Sequence, residues 1–341
     1  MTFDSKLRSV NILKIIPPLI TLLNSEQEIQ YVALRNIRLI IQRFPDILKE
    51  QVQVCIELFD LFIMTTGIQV FFCKYLDPCY VKEEKLDIIV SLVCEQNIEK
   101  ILNELKEYAT EIDIEFVRHS IRAIGQCAIS IETTASLCVE KLIELLNTRV
   151  NYIVQEVVIV MRDIFRKYPN RYEGIIKTVC DCLENLDDPT AKSAMIWIIG
   201  EYAERIDNSE ELLSIFFDTF TEESSIVQLQ LLTSVVKIFL KCPSPISHSN
   251  MERLLSVASF ETDDPDIRDR AFVYWRLLSS KSESAHEIIL CKKPVIQCQS
   301  KLYGDFFQFF FSVSFSSFPL DKKILDELLH QLSMINSIQC K

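Results

Sequence analysis

The stretch VNYIVQEVVIVMRDIFRKYPNRYE, residues 150–173, carries the pattern that decides the fold. From Ile153, apolar side chains recur five and eight positions later, at Val158 and Met161. This spacing places all three on one face of a helix. The proline at position 169 cannot continue that helix, and the lysine two residues before it suits a helix C-terminus. The stretch therefore predicts one amphipathic helix with a defined end.

Seven copies of this pattern run along the chain, and we call their first apolar residues anchors. Successive anchors are 52, 35, 37, 38, 36 and 40 residues apart, and five of these six spacings suit a unit of two antiparallel helices. Three anchor helices are predicted to stop before a proline, at Pro45, Pro169 and Pro243. The repeats predict an all-α fold, a right-handed α-solenoid of armadillo/HEAT type. The anchors are Ile29, Val81, Phe116, Ile153, Ala191, Val227 and Ile267.

Polar residues precede the anchors, and a second amphipathic segment follows most of them. The polar residues predict helix N-terminal caps at Asp77-Pro78, Asp113, Asn147, Asp187-Asp188-Pro189, 222–225 and Asp263-Asp264-Pro265. Second helices are predicted over 98–108, 135–146, 172–186 and 210–220. Large apolar side chains at the repeated offsets are expected in the core: Trp197, Phe272 and Trp275.

The chain of 341 residues is 49% hydrophobic and 25% charged, which is typical of a globular protein. It is long enough for two domains or for one continuous array. Only 5 glycines occur, and no stretch rich in Pro, Gly or Ser divides the chain, so a single trunk over residues 1–341 is favoured. Scarce glycine also argues against nucleotide-binding loops.

The net charge of −12 argues against general nucleic-acid binding, because phosphate contact relies on clustered Lys and Arg. One basic group nevertheless surrounds a predicted turn between helices. It is either a candidate site for an anionic lipid or phosphate, or a solvated edge of mixed charge, and the interspersed Glu156, Asp163 and Glu173 favour the second. Its members are Arg162, Arg166, Lys167, Arg171 and Lys177.

The 12 cysteines and 4 histidines do not form a metal-binding pattern. One residue separates Cys180 from Cys182, too few for a zinc knuckle, and the histidines are scattered. The first residues do not read as a signal peptide, so a reducing compartment is expected. No nucleophile elbow occurs, and paired acids fall where helix caps are expected. We therefore expect neither a cofactor nor an enzymatic activity.

Two blocks interrupt the repeat. Residues 51–69 account for the 52-residue spacing, and residues 303–318 hold seven of the 21 phenylalanines. A membrane span is disfavoured, because Glu57 and Asp60 lie within the first block and the second has only 13 uncharged residues in a row. We interpret both blocks as insertions in turns or as translated sequence foreign to the folded product.

Several long stretches closely resemble the β-adaptin large subunit of clathrin adaptor complexes. They include EIQYVALRNIRLIIQRFPDILK at 28–49, LKEYATEIDIEFVRHSIRAIGQCAI at 105–129 and AMIWIIGEYAERIDNSEELL at 194–213. The resemblance covers roughly residues 11–295 and resumes weakly at 320–335. It implies a non-catalytic scaffold in a heterotetramer, with a medium, a small and a second large adaptor subunit as partners.

The resemblance also implies where such a chain works. Adaptor complexes lie on the cytoplasmic side of Golgi and endosomal membranes or at coated pits, held peripherally, and sort cargo for vesicle transport. In the family, the N-terminal part of the trunk contacts phosphoinositides, and a hinge and ear bind clathrin; we expect these parts to be absent here. The run LENLD at 183–187 resembles a clathrin box but has a glutamate where an apolar residue is needed, so we interpret it as structural.

Two alternatives stay open at this point. Another armadillo/HEAT-type scaffold, such as a nuclear-transport receptor, shares the architecture but not the quoted stretches. A truncated product without function is the other.

Overall fold

The computed structural model of the protein describes residues 19, 21–43, 67–183, 186–280 and 282–291. Within these ranges the chain forms thirteen α-helices, joined by turns and short 3₁₀ segments, and no strand. None of these helices is long and apolar enough to cross a membrane. The chain divides into two compact units, residues 1–298 and 299–341, and every described residue lies in the first.

Seven of the helices carry the anchors. They are α1 (Gln27–Arg43), α2 (Cys79–Ser91), α4 (Ile114–Ser130), α6 (Asn151–Lys167), α8 (Pro189–Glu201), α10 (Ser225–Lys241) and α12 (Pro265–Ser280). The other six lie between or after them: α3 (Ile98–Tyr108), α5 (Ala135–Leu146), α7 (Ile176–Cys180), α9 (Ser209–Ser214), α11 (Pro245–Phe260) and α13 (Ser282–Ile289).

Each anchor helix packs against the next anchor helix along the chain. Helix α1 contacts α2, α2 contacts α4, and the order continues through α6, α8 and α10 to α12. The intervening helices form a second layer, in which α3 contacts α5 and α9 contacts α11. They pack on neighbouring anchor helices: α3 on α4, α5 on α4 and α6, and α11 on α10 and α12. This stacking of helix pairs confirms the predicted all-α solenoid.

Every anchor is the third residue of its helix, so the sequence pattern locates the helix starts. Six of the seven anchors are buried, from Val81 to Ile267. The residues five positions later are buried in six of the anchor helices, from Leu34 in α1 to Leu232 in α10. We call such positions offsets from the anchor, and offsets 0 and 5 build the core between successive anchor helices.

The stacked anchor helices form a row from α1 to α12, and the two ends of this row differ from its middle. Ile29, the anchor of α1, is 44% exposed, and in α12 Phe272 and Trp275 are 45% and 44% exposed. The prediction that Phe272 and Trp275 lie in the core is therefore wrong. Residues at these two offsets, 5 and 8, are buried in the other six anchor helices. No anchor helix follows α12 in the described part of the chain. Trp197, at offset 6, is only partly buried against the core.

Aspartates cap three anchor helices as predicted. The Asp113 carboxylate accepts from the Phe116 amide at 3.4 Å, Asp188 accepts from the Ala191 amide at 3.1 Å, and Asp264 accepts from the Asp266 amide at 2.9 Å. These bonds satisfy amides that have no partner within the helix.

The predicted caps at Asp77 and Asn147 are wrong. The residue before α2 is Pro78, whose side chain has no acceptor and makes no cap, and the Asp77 carboxylate binds Lys85 instead. Asn147 follows the last residue of α5, and α6 begins four residues later without a side-chain cap. Asp77 shows that a polar residue near a helix end can serve a different partner.

Three anchor helices end at the cation that precedes a proline by two residues. Helix α1 ends at Arg43, α6 at Lys167 and α10 at Lys241. A positive charge is stabilised at the negative, C-terminal end of the helix dipole. The proline has no backbone N–H, so the helix cannot continue through it. The predicted stops are confirmed.

The second helices were predicted with mixed success. Helices α3 and α5 span 98–108 and 135–146 as predicted, but α7 and α9 cover only parts of 172–186 and 210–220. Asp181 and Cys182 follow the end of α7, and Ile, Phe, Phe, Asp and Thr follow the end of α9 at Ser214. These residues have weaker helix propensity, so turns replace the final helical turns.

Two junctions between anchor helices require glycine. A Cβ at Gly125 would overlap the Val160 side chain of the next anchor helix, and a Cβ at Gly200 would lie 2.6 Å from Ser234 Cβ. Both glycines are at offset 9 and both partners at offset 7 of the next helix. The absence of a side chain at offset 9 therefore sets how closely these helices approach.

Only 67–69 of the first predicted insertion, residues 51–69, lies within the described ranges, where Gly67–Phe71 forms a 3₁₀ helix. The second, 303–318, lies outside the described residues. Helix α1 packs on α2 across the long spacing as the other anchor helices do across short ones.

Candidate interaction surface

Exposed apolar side chains recur in the turns that lead into three anchor helices. Leu76, before α2, is 83% exposed, and Ile112, before α4, is 89% exposed. Tyr75, Ile114 and Val150 are exposed in the same turns or at the helix starts. We call these five residues the turn edge. Large apolar groups held in water at successive repeats mark a surface that is suited to a protein partner.

Buried ion pairs fix the turn before α2 and the turn before α4. Lys85 Nζ lies 2.6 Å from Asp77 Oδ2, and the lysine side chain is buried. Lys82, also buried, binds Glu111 at 2.9 Å in the turn before α4. A buried charge that lost its partner would be strongly destabilising, so these pairs fix the two turns against the helices. Sequence reasoning missed them, although the lysines in VKEEKLDII interrupt an apolar helix face.

Hydrogen bonds add to this support. The Cys73 amide donates to Tyr108 Oη at 2.7 Å, and the Lys74 amide donates to Asp77 Oδ2 at 2.8 Å. Burial raises the pKa of the Cys73 thiol to about 12, against the smaller opposing effect of Lys85. The thiol is therefore neutral at physiological pH and acts as a packing group.

Further ion pairs link successive anchor helices. Between α1 and α2, Arg38 lies 3.0 Å from Glu84 and 2.6 Å from Asp87. Burial raises the pKa of the Asp87 carboxyl to about 6, because desolvation outweighs the attraction of Arg38 and the nearby Glu84 adds repulsion. This junction therefore contains a carboxyl group that titrates near neutral pH.

Similar pairs occur further along the row. Arg122 on α4 donates to both carboxylate oxygens of Glu156 on α6, at 2.5 and 3.1 Å. Lys237 on α10 lies 2.6 Å from Glu201 on α8. Glu156 and Lys237 are buried, so each pair favours one register between its two helices.

Two members of the predicted basic group have carboxylate partners within the chain. Arg162 Nη2 lies 3.0 Å from Asp163 Oδ1, and Arg171 Nη1 lies 3.0 Å from Glu132 Oε1. The Arg171 guanidinium also lies over the rings of two neighbouring tyrosines. Part of the positive charge is therefore balanced locally, as the interspersed acids predict.

The other members differ in exposure. Arg166 is partly buried, and desolvation lowers the pKa of its guanidinium. Lys167 is the last residue of α6, and Lys177 is exposed on α7. An anion site formed by these five residues stays a prediction.

Nine cysteines lie within the described residues and all are free thiols. Burial raises the pKa of Cys138 and of Cys180 to about 12. Among the described residues, no group of three or more His, Cys, Asp or Glu side chains is arranged to hold a metal ion.

The two leucines of the LENLD run, Leu183 and Leu186, are buried. A clathrin box must present its apolar side chains to the partner, so their burial favours a structural role. The helix expected here is shorter than predicted, since α7 ends at Cys180.

Comparison with known proteins gives a consistent result. The family described as "Adaptin N terminal region" matches residues 1–282. The AP-1 complex subunit beta of Dictyostelium discoideum is 49% identical over 328 residues, covering 96% of this chain and 31% of that protein. The human AP-1 complex subunit beta-1 is 48% identical with the same coverage, and the AP-2 complex subunit beta of Schizosaccharomyces pombe is 41% identical over 288 residues, covering 84% of this chain and 40% of that protein.

A structural neighbour supports the fold. A chain in a homology model of the full-length AP-3 complex, in an intermediate open conformation, matches with a TM-score of 0.56 at 20% identity, covering 79% of this chain and 46% of that one. The protein spans about a third of the length of the AP-1 relatives that it matches. With stacked anchor helices throughout its described residues and family matches over most of its length, the chain belongs to the adaptin family, as a trunk of the β-adaptin large subunit.

Proposed function

We propose that this chain is a non-catalytic scaffold, the β-type large subunit of a heterotetrameric clathrin adaptor complex in vesicle-mediated protein transport. The observation that carries the proposal is the continuous row of anchor helices in a chain that is 48–49% identical to AP-1 β subunits. A scaffold works by holding other subunits on an extended surface, and it makes or breaks no covalent bond.

The partners in this proposal are a medium, a small and a second large adaptor subunit. The turn edge offers apolar contact area at three successive repeats, and the buried Lys85–Asp77 and Lys82–Glu111 pairs hold two of its turns in place. A preformed surface loses little conformational entropy on binding, which favours affinity. Association with clathrin is proposed only through hinge and ear segments of the kind that β-adaptins carry.

The proposed location follows from the proposed complex. The chain works in the cytoplasm, held peripherally on Golgi or endosomal membranes or at coated pits by the assembled complex. Arg162, Arg166, Lys167, Arg171 and Lys177 are a secondary candidate for contact with an anionic headgroup. If they contribute, Lys177→Glu lowers binding of the assembled complex to anionic vesicles while leaving subunit association unchanged.

Affinity purification of the tagged full chain from cells tests the scaffold proposal. We expect the three adaptor subunits to co-purify with the parent and to be reduced by Leu76→Asp combined with Ile112→Asp. Ile246→Asp is the matched control, because Ile246 is also an exposed isoleucine but lies on α11, away from the turn edge. A folded, soluble parent that captures no adaptor subunit contradicts the proposed function. Equal losses for the control and the double variant contradict the role of the turn edge.

We also infer that residues 51–69 and 303–318 are insertions within a repeated trunk that extends over residues 1–341. Support for the first block comes from the packing of α1 on α2, which is maintained across the long spacing. Deleting residues 51–66 is expected to leave the thermal unfolding midpoint within about 2 °C, whereas loss of cooperative unfolding shows that the block is required.

A further inference from the structure

A groove that is open to solvent lies between α9 and α11 in the second layer. Two buried residues of α10, Val235 and Ile238, form its floor. Its sides come from α9 with the turn that follows it and from the first half of α11. The side chains on these sides are Glu210, Leu213, Phe217, Ser247 and Asn250. The groove therefore has an apolar floor, and α11 supplies hydrogen-bonding groups along one side.

Two contacts join the sides of the groove. The Ser244 hydroxyl, just before α11, donates to Glu210 Oε1 over 2.7 Å, and Arg253 Nη2 donates to Asp218 Oδ1 over 3.1 Å. The second pair is largely exposed, so it adds little to stability, but it shows that the rim accommodates a guanidinium group. A groove that is already formed loses little conformational entropy when a partner binds.

Two exposed isoleucines lie beside the groove. Ile215 is 59% exposed and stands between Leu213 and Phe217 in the chain, which both line the groove. Ile246 is 63% exposed and directly precedes Ser247 on the opposite side. Large apolar side chains held in water on both sides of one groove indicate a contact surface for a protein.

The α9 side of the groove is strongly acidic. Residues 204–223 contain seven carboxylates and one cation, Arg205, which lies 3.4 Å from Glu173 outside this stretch. Asp218 and Glu223 bind cations on other helices, and the remaining five acids form no ion pair with another described residue. These five are Glu204, Asp207, Glu210, Glu211 and Glu222.

The charge of the groove limits the kind of partner that fits it. Burial raises the pKa of the Cys242 thiol, and the charges of Glu204 and Glu210 raise it further, so both acids lie close to the end of the groove where α11 begins. A negative rim repels an anionic membrane or a nucleic acid and attracts Lys and Arg. A protein segment with apolar side chains between cations matches both the charge and the apolar floor.

We propose that the groove between α9 and α11 binds a basic segment of another protein. Two apolar side chains of that segment pack on Ile215 and Ile246, and the Lys or Arg side chains that flank them face Glu204 and Glu211. This proposal goes beyond the scaffold function and does not depend on it, since the groove is separate from the turn edge. Ile246→Asp therefore leaves the capture of adaptor subunits unchanged and removes binding of the basic segment.

Fluorescence anisotropy of the full chain with a labelled synthetic peptide tests the proposal. The peptide carries two leucines between flanking lysines, and its controls have serines in place of the leucines or glutamates in place of the lysines. We expect the parent to bind the first peptide only. Ile215→Ser combined with Ile246→Ser is expected to weaken this binding about tenfold, whereas Ile112→Ser, in the turn edge, leaves it unchanged. All three isoleucines are more than half exposed, so the substitutions leave the core intact.

Two pairs of charge variants distinguish the groove from the overall negative charge of the chain. Glu204→Gln with Glu211→Gln is expected to weaken binding. Glu99→Gln with Glu107→Gln removes the same charge from exposed positions on α3 and is expected to have no effect. Equal losses for the two pairs show general attraction to a chain of net charge −12 and overturn the proposal.

Three other results also overturn it. One is unchanged binding by the double isoleucine variant. Another is a parent that does not bind the peptide, as happens when another part of the same chain covers the groove. The third is light scattering that shows the parent as a dimer and the double isoleucine variant as a monomer, because the groove then binds a second copy.

Discussion

At the scale of single residues, the packing between successive anchor helices depends on which residues occupy a few offsets. Gly125 and Gly200 leave room at offset 9, where the next helix comes closest. The junction between α1 and α2 has an arginine at this offset, and Arg38 uses its length to reach Glu84 and Asp87 of the next helix. The sequence shows both glycines plainly, but their role depends on the neighbouring helix, which no local pattern reveals.

Gly200→Ala is expected to destabilise the protein by about 1–3 kcal/mol, because the new Cβ would lie 2.6 Å from Ser234 Cβ and 2.9 Å from its Cα. Gly174→Ala is the matched control, since a Cβ at Gly174 meets no atom within 4 Å. Thermal unfolding measures both variants. Similar midpoints for the two would show that the α8–α10 contact relaxes without cost.

Asp87 is expected to make stability depend on pH. Its pKa is about 6 in the folded chain against 3.8 ordinarily, so between these values the folded state holds a proton that the unfolded state has released. The stabilisation from this protonation is complete below pH 3.8 and is lost as the pH rises through about 6. Urea unfolding is therefore expected to show that the free energy of unfolding of the parent exceeds that of Asp87→Asn by more at pH 5 than at pH 7. An identical difference at both pH values would contradict the raised pKa.

At the scale of elements, the starts and ends of the anchor helices were predictable, because they depend on local chemistry. The apolar spacing, Asp113 and Asp188 as caps, and the proline stops all act within a few residues of each helix end. The failures involve distant partners. Asp77 was predicted to cap α2, yet its carboxylate binds Lys85, and Phe272 fits the core pattern without a helix to cover it.

The candidate interaction surface was harder to predict than the helices. Sequence reasoning singled out the basic group around α6, whereas the turn edge consists of isolated residues such as Leu76 and Ile112. In sequence, an apolar residue in a turn looks the same whether it is buried or exposed. Only packing distinguishes the two cases, so the turn edge gave no signal.

Lys85→Met is expected to destabilise the protein by about 3–5 kcal/mol, because it leaves the Asp77 carboxylate without its cation in a buried site. Adding Asp77→Asn is expected to recover part of the loss, since the amide carries no charge and its oxygen can still accept from the Lys74 amide. Chemical denaturation of the parent, the single variant and the double variant gives the comparison. Additive losses would show that the two side chains do not interact.

At the scale of the whole row, stability depends on contacts between neighbouring units. Helix α6 lies in the middle and packs on α4 and α8, so a defect there affects both sides. In such an array the total stability is close to a sum of unit and junction contributions. A local loss therefore spreads to neighbouring units first.

Phe165→Ala is expected to cost about 3–5 kcal/mol, because Phe165 is a buried side chain of α6 and its removal leaves a cavity. Hydrogen exchange is expected to show loss of protection in α4, α6 and α8 before α12. Leu137→Ala is the control, because Leu137 is a partly exposed side chain of α5. Uniform loss of protection throughout the described helices would instead indicate a single cooperative unit.

The packing of each anchor helix on the next also bears on how the protein folds. Most anchors are 35–40 residues apart, about a tenth of the 341-residue chain, so contacts form between segments that are close in sequence. Low contact order favours fast folding, and domains generally fold as they emerge during synthesis. Each newly made unit would then expose an apolar face until the next unit is synthesised and packs on it, and α12 has such an exposed face in the described chain. A nascent chain of this kind offers chaperones the same type of binding surface at every stage of translation.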